Sequence, residues 1–323
     1  MVQNKKFQEA RVLLFDTEPT NLRVTRAALF EIGFREIESV QEFKSFSKHI
    51  SHGDYDLIIA EVHNAGGGVA DLMKKLRTGD IGVNPFVVAI TTSWDRKVES
   101  VRQLVDAGVD DLLLRPFSTR DLASRVHAAV TARKGFVVTG DYVGPDRRGV
   151  AGGDASAELF HPPNTLKSSV NGEQDVSNTH MDAINAARQK MSRERIRTLA
   201  MRIIVAVELK LDDPETGAGI NPEEVDGLAR ELRRRLRGRG APDAVELASA
   251  LVEITTEALE HQGETEQRLR LIKELALGTF TAYADGESLE RSTGEVDRTV
   301  NVLREKLHEQ SLRDWRRDLT CAT

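Results

Sequence analysis

The sequence holds a single cysteine, few aromatic residues and no long apolar run. Its one cysteine, Cys321, excludes an intrachain disulfide and any multi-cysteine zinc cluster. Aromatic residues make up 5 % of the chain, which points to aliphatic cores and much helix. No stretch approaches the roughly 18 apolar residues of a membrane span. The best candidate, Ile203–Val207, is closed off by Arg202 and Glu208. The start, MVQNKKFQEA, has no apolar segment of secretory type, so the expectation is a cytoplasmic protein. A basic excess is also missing: 45 Lys and Arg face 51 Asp and Glu, a formal net charge of −6. Such a chain is not built as a whole to coat nucleic acid, and any such role falls to a local patch. His49, His52 and His63 do not make a ligand pattern, and Gly66–Gly68 lacks the Gly-Lys-Ser/Thr ending of a phosphate loop.

What is present is a foldable chain of 323 residues, 40 % apolar and 30 % charged, long enough for about two domains. Texture changes near residue 134. The first part is close to charge-neutral, and the acidic excess lies in the remainder. Residues 1–134 alternate strand and helix signals. Apolar runs at Arg11–Phe15, Ile37–Val40, Asp56–Ala60, Phe86–Ile90 and Asp111–Leu114 read as strands. Helical stripes at Thr20–Phe34, Phe43–Ile50, Val69–Arg77, Asp95–Ala107 and Thr119–Arg133 separate and follow them. Strict alternation of this kind implies a doubly wound, five-stranded parallel sheet, whose sites lie outside the carboxyl ends of the strands. Residues 135–178, broken by Gly, Pro, Ser and Asn, read as a linker containing the run GPDRR (Gly144–Arg148), with apolar residues that give part of it a means to dock on a domain. Residues 179–323 read as an all-α bundle or interaction domain. Its segments are a stripe from Met191 to Leu211, a helix Asn221–Arg239, one or two helices over Pro242–Tyr283 with a break near Gly263, and a short heptad seam over Thr293–Leu319.

Four kinds of side chain gather at the strand ends: the acids Asp16 and Glu61, the neutral Thr17 beside Asp16, the hydroxyl Thr91 and the base Arg115. The segments VLLFDTEPTNLR, YDLIIAEV, VVAITT and AGVDDLLLRPF, in this order and spacing, resemble the receiver domain of two-component response regulators. The resemblance spans about residues 10–133 and implies a flavodoxin-like receiver fold. It implies that Asp16 is one of two magnesium acids, that Glu61 stands at the phosphoacceptor position and that Thr91 is the phosphoryl-contacting hydroxyl. Arg115 then stands at the basic position before Pro116, and Leu112 at the aromatic switch position.

The departures fall on the chemistry. Glu61 replaces the acceptor Asp, Thr17 replaces the second acid, Arg115 replaces Lys, and Leu112 replaces the aromatic. Mg²⁺ needs several ordered oxygen ligands, so the loss of an acid leaves Asp16 a weak or absent metal site. The guanidinium fork suits a carboxylate, and the expectation is a standing Glu61–Arg115 pair. Two readings of Glu61 stay open: a built-in imitation of the phosphorylated state, or a dead site whose domain serves only for docking. The expected function is a non-enzymatic, phosphorylation-independent pseudo-receiver that controls or docks a helical output or dimerisation domain, with no cofactor beyond residual Mg²⁺. Expected partners are a protein on the face 95–133 or on the helical part, a second copy in a homodimer, and a histidine kinase for the alternative of a working phosphorelay receiver. A DNA-binding regulator is the other alternative. The run Arg233–Arg239 would then contact phosphates, although its place at a helix C-terminus reads more simply as a capped helix. No paired carboxylates, metal-spaced histidines or nucleophile motif in 179–323 suggest an enzyme, and His180, His261 and His308 lack a phosphotransfer context.

Overall fold

The computed structural model describes residues 7–62, 68–139, 142–147, 159–172, 177–212, 221–260 and 266–283. His63, Gly66, Arg148, His261, Gly263, His308, Cys321 and the Thr293–Leu319 seam lie outside them. The chain divides into two compact units at Met191/Ser192.

In the first unit, β1 (Arg11–Phe15), β2 (Glu36–Val40), β3 (Leu57–Glu61), β4 (Val88–Ser93) and β5 (Asp111–Leu114) form one sheet in the order β2-β1-β3-β4-β5. Every pair in it is parallel. The helices are α1 (Pro19–Ile32), α2 (Phe43–His52), α3 (Gly68–Arg77), α4 (Val98–Asp106) and α5 (Thr119–Thr131). Two-residue periodicity sorts the strand side chains. Leu14, Ile59 and Ile90 meet α1 and α5, whereas Leu13, Ile58 and Ala89 meet α2, α3 and α4. Both faces are covered, which is why the strands read as continuous apolar runs. Local signals set the helix starts: Pro19 opens α1, and a capping box between Ser118 and Asp121 opens α5. The strand order reverses between β1 and β3, so the crevice at their carboxyl ends is the place where a site belongs in this topology.

The stretch read as a linker is structured wherever it is described. Strands β6 (Phe136–Val138), β7 (Val143–Pro145) and β8 (Leu159–Phe160) form a small antiparallel sheet, and α6 (Thr165–Asn171) follows. Phe86, Phe136 and Phe160 meet edge to face, with centroids 6.1, 5.9 and 6.1 Å apart. Beside them Asp110 accepts from Arg77 Nη2 at 2.8 Å and from Arg133 Nε at 2.7 Å, and both guanidinium groups lie over the Phe136 ring. Gly108 has φ +78°, and a Cβ there would lie 2.3 Å from the Val143 carbonyl oxygen, so the approach of β7 requires glycine. The physical reason for the correction is that these few apolar residues find a partner surface. Gly and Pro break periodicity without preventing docking.

The long helix α7 (Ser177–Asp212) begins within the first unit, where Met191 packs with Phe86 and Phe136 and Arg188 donates to the Val83 carbonyl at 3.1 Å. The boundary expected at 178/179 therefore falls later. The second unit is all-helical among its described residues. The C-terminal half of α7 joins α8 (Pro222–Leu236), α9 (Pro242–Glu260) and α10 (Glu266–Tyr283) around a core of Ile196, Ile203, Val207, Leu232, Leu251 and Ile272. Apolar stripes at helical spacing meet in one aliphatic core, as the low aromatic content suggests.

Candidate functional site

At the carboxyl edge of the sheet lies a buried polar cluster. Asp16, Thr25, Glu61, Thr91, Thr92, Ser93 and Arg115 are all almost fully excluded from solvent. Burying charges is costly unless they are paired and hydrogen-bonded. Arg115 meets that demand by reaching across the sheet edge. Its Nη2 donates to Asp16 Oδ2 at 2.9 Å and to Thr25 Oγ1 at 3.2 Å, and its Nε donates to Thr92 Oγ1 at 3.3 Å. The guanidinium carbon stands 4.9 Å from the centre of the Phe117 ring. The other Asp16 oxygen, Oδ1, accepts from the Glu18 backbone N–H at 2.9 Å.

Burial raises the Asp16 carboxyl, against the Glu18 N–H and the charge of Arg115, and the charge of Glu61 adds to the rise. Burial likewise lowers Arg115, against the charges of Asp16 and Glu61. Arg115 forms its ion pair with Asp16, where the expectation was Glu61, and Glu61 acts on both through its charge. The reason is position: Asp16 sits fully buried just after β1, within 2.9 Å of the guanidinium that is its counter-charge.

The hydroxyl assignment also changes. Register pairs Glu61 with Thr92 and Ala60 with Thr91. Thr92 shares the face of Glu61 and bonds Arg115. Thr91 faces the other layer, and its hydroxyl makes only a long bond, 3.4 Å, to the Asp111 carbonyl. Strand β4 starts two residues later than the apolar run suggests and ends at Ser93, so Thr91 lies inside it. Thr92 and Thr25 are the participants that sequence reasoning missed. The ladder register gives Thr92, and an α1 face turned to the sheet gives Thr25. Leu112 is partly buried against the core of the α2–α4 layer. Thr17 is half-buried with its Oγ1 unpartnered.

These residues do not fit Mg²⁺. One Asp16 oxygen is bound by a backbone N–H and the other by a guanidinium, and the second acid is Thr17. Mg²⁺ demands near-octahedral oxygen ligands and holds to one or two available carboxylates. Among the described residues no group of three His, Cys, Asp or Glu is placed to hold a metal ion.

On the flank formed by α4, β5 and α5, Trp94 and Val98 are exposed, 46 % and 66 %. The C-terminal part of α5 is taken by α6. Asn164 Nδ2 donates to the Ala129 carbonyl at 2.8 Å, and Leu166 enters the core beside Val126 and Val130. The face expected over 95–133 is therefore open at α4, β5 and the start of α5 only. In the second unit Glu231 binds two members of the basic run. Arg234 bonds it twice, at 2.7 and 2.8 Å, and Arg235 at 2.7 Å. Arg239 turns back to the Arg235 carbonyl at 3.1 Å. Among the described residues no helix is long and apolar enough to cross a membrane.

Comparison with known proteins places residues 12–127 in agreement with the response regulator receiver domain family. The two-component response regulator PhoP of Pseudomonas aeruginosa is 25 % identical over 109 residues, 34 % of this chain and 47 % of that protein. The cell cycle transcriptional regulator CtrA of Caulobacter vibrioides is 29 % identical over 94 residues, 28 % of this chain and 39 % of that protein. The matches thus span less than half the length of either relative. A response regulator structure from Thermotoga maritima aligns with 19 % identity and a TM-score of 0.32, over 36 % of this chain and 95 % of that one.

Proposed function

Residues 12–127 of this chain are a response-regulator receiver domain, and from that premise we propose that it works as a pseudo-receiver. It is a non-enzymatic signalling module whose state does not depend on phosphoryl transfer, and it docks or controls the helical unit that follows. The observation that carries this reading is the buried Asp16–Arg115 pair at 2.9 Å beside Glu61. The carboxylate that would hold a metal is already neutralised, and the acceptor position carries a longer acid.

Partners are proteins. The exposed Trp94 and Val98 and the open part of α4, β5 and α5 supply one docking surface, and the helical unit supplies another or a homodimer contact. A DNA-binding output, as similarity to the transcriptional regulator CtrA invites, finds little support in the basic run. Glu231 and the Arg235 carbonyl engage three of its arginines.

The test is the thermal stability of the full chain with Mg²⁺ and beryllofluoride, a phosphoryl mimic. A ligand that binds the folded state raises the melting temperature with concentration. No shift is expected for the natural chain, whereas a Glu61→Asp, Thr17→Asp, Arg115→Lys variant should respond. A saturable shift in the natural chain refutes the proposal and favours a working phosphorelay receiver with a histidine kinase partner.

A further inference from the structure

The reading above has the first unit dock or control the helical one, and the following rests on that reading. We propose that the first half of α7 is the transmitting element: residues 180–191 form a clasp seated on the Phe86–Phe136–Phe160 cluster, and the seated or released state of that clasp sets the order of the helical unit. Helix α7 runs unbroken from Ser177 to Asp212. Among the described residues it enters both cores, through Met191 beside Phe86, Phe136 and Val143 in the first unit and through Ile196, Ile203 and Val207 in the second. Successive turns of one helix are ordered cooperatively, so order gained or lost in one half is passed to the next turn.

The hold on the seat is narrow. Ile184 and Met191 are 1 % and 3 % exposed and stand two turns apart on one face, with Ala187 partly buried between them. Met191 offers the rings a pliable thioether. Arg188 adds a hydrogen bond to the Val83 carbonyl at 3.1 Å. Asp182, Asn185, Ala186 and Gln189 face solvent. The second half is enclosed on more than one face, since Leu199, Ala200, Ile203, Ile204 and Val205 are all buried. A segment with few buried apolar groups opens at lower free energy than its surroundings. The two attachments meet at Ser192, the first residue of the second unit. Its hydroxyl is buried and has no partner among protein atoms. An unbonded buried hydroxyl disfavours the closed arrangement, and release of the clasp returns it to water.

The seat is built on the strands of the candidate site. Phe86 stands just before β4, the strand that carries Thr92. Phe136 lies under the two arginines that hold Asp110 at the entry to β5, the strand that leads to Arg115.

The experiment is hydrogen exchange, read by mass spectrometry on the full chain at neutral pH. In the natural chain residues 180–191 should exchange about tenfold faster than residues 196–207. Ala187→Glu sets a charge against the rings and keeps a good helix former, so it releases the clasp without weakening α7 itself. It should speed exchange over 180–191, and also over 196–207 and 222–236, by roughly threefold or more. Arg188→Ala removes the bond to Val83 alone and should move the same residues in the same direction, by less. Ala186→Glu, on the solvent side, is the control and should move neither set. Circular dichroism melts identify any unfolded variant, and if Ala187→Glu is one, Arg188→Ala decides by the same criterion.

Equal protection over 180–191 and 196–207 in the natural chain overturns the inference. So does a folded variant in which 180–191 loosens while the helical unit stays unchanged, which makes the clasp a passive attachment. Neither result touches the pseudo-receiver reading. A beryllofluoride response with Mg²⁺ refutes that reading whatever the exchange of α7 shows.

Discussion

At the scale of single residues, the cluster at the sheet edge is organised by one guanidinium. Removing one member of a buried pair strands the other, at a cost of about 3–5 kcal/mol. Arg115→Ala, which strands the buried Asp16 carboxylate, is expected to destabilise the first unit by that amount, as followed by urea unfolding with hydrogen exchange over residues 11–25 and 111–117. The two adjacent threonines should part company. Thr92→Val removes an acceptor from a charged donor and should cost about 1–2 kcal/mol. Thr91→Val removes only the long 3.4 Å bond and should cost about 0.5 kcal/mol or less. Equal costs would mean that the register is wrong. Neither the parity of the threonines nor the partner of Arg115 was legible in the sequence. A strand buried on both faces has no polar alternation to show which way each residue points. The candidates Asp16, Glu61 and Arg115 were legible, because acids and a base just after apolar runs are rare enough to stand out.

Among the elements, the segment after α5 changes most between sequence and structure. Its strands β6, β7 and β8 complete the first unit around Phe136, which is fully buried between two arginines that share Asp110. Burial lowers Arg77 to about 10, against the charge of Asp110, and burial of Asp110 is in turn outweighed by Arg133 and Arg77, which lower it. Truncating a buried phenylalanine costs about 3–5 kcal/mol. Phe136→Ala should therefore loosen the end of α3, the start of β5 and the end of α5 together, visible as faster hydrogen exchange over residues 74–78, 108–113 and 130–138. Change confined to residues 136–145 would show the segment to be a passive attachment. Three-residue strands with Gly and Pro between them carry no periodicity to read, and only the surface they meet makes them strands.

For the whole molecule, the two units should respond differently to acid. Burial alone would raise the Glu231 carboxyl, but hydrogen bonds from Arg234 and Arg235 hold it down to about 2, against 4.5 for the free group. A depressed acid stabilises the fold fully above about pH 4.5 and loses that contribution as pH falls towards 2. With the partly exposed Arg234 discounted, the amount is on the order of 2 kcal/mol. Asp16 acts in the opposite sense. Its raised value means that ionisation costs stability as pH rises through the carboxylate range. Acid should thus weaken the helical unit, seen as hydrogen exchange over residues 222–236 rising below pH 4.5, and Asp110, lowered by Arg133 and Arg77, gives the first unit its own acid sensitivity around β5. Glu231→Gln should flatten the dependence of the helical unit. Exchange over residues 222–236 that does not change between pH 6 and 3 would refute it.

The alternation of strands and helices, the parallel sheet, the helical second part and the crowding of acids and a base at one edge are all written along the chain. These are local properties, carried by periodicity, capping residues and the order of segments along the chain. Which carboxylate holds Arg115, which threonine faces it, where the first unit ends and that the broken stretch packs onto it emerge only in three dimensions. Each of those depends on distances between residues far apart in sequence: Asp16 and Arg115, Gly108 and Val143, Phe86 and Met191. Such distances exist only once the sheet has closed and buried charge has had to find its counterpart.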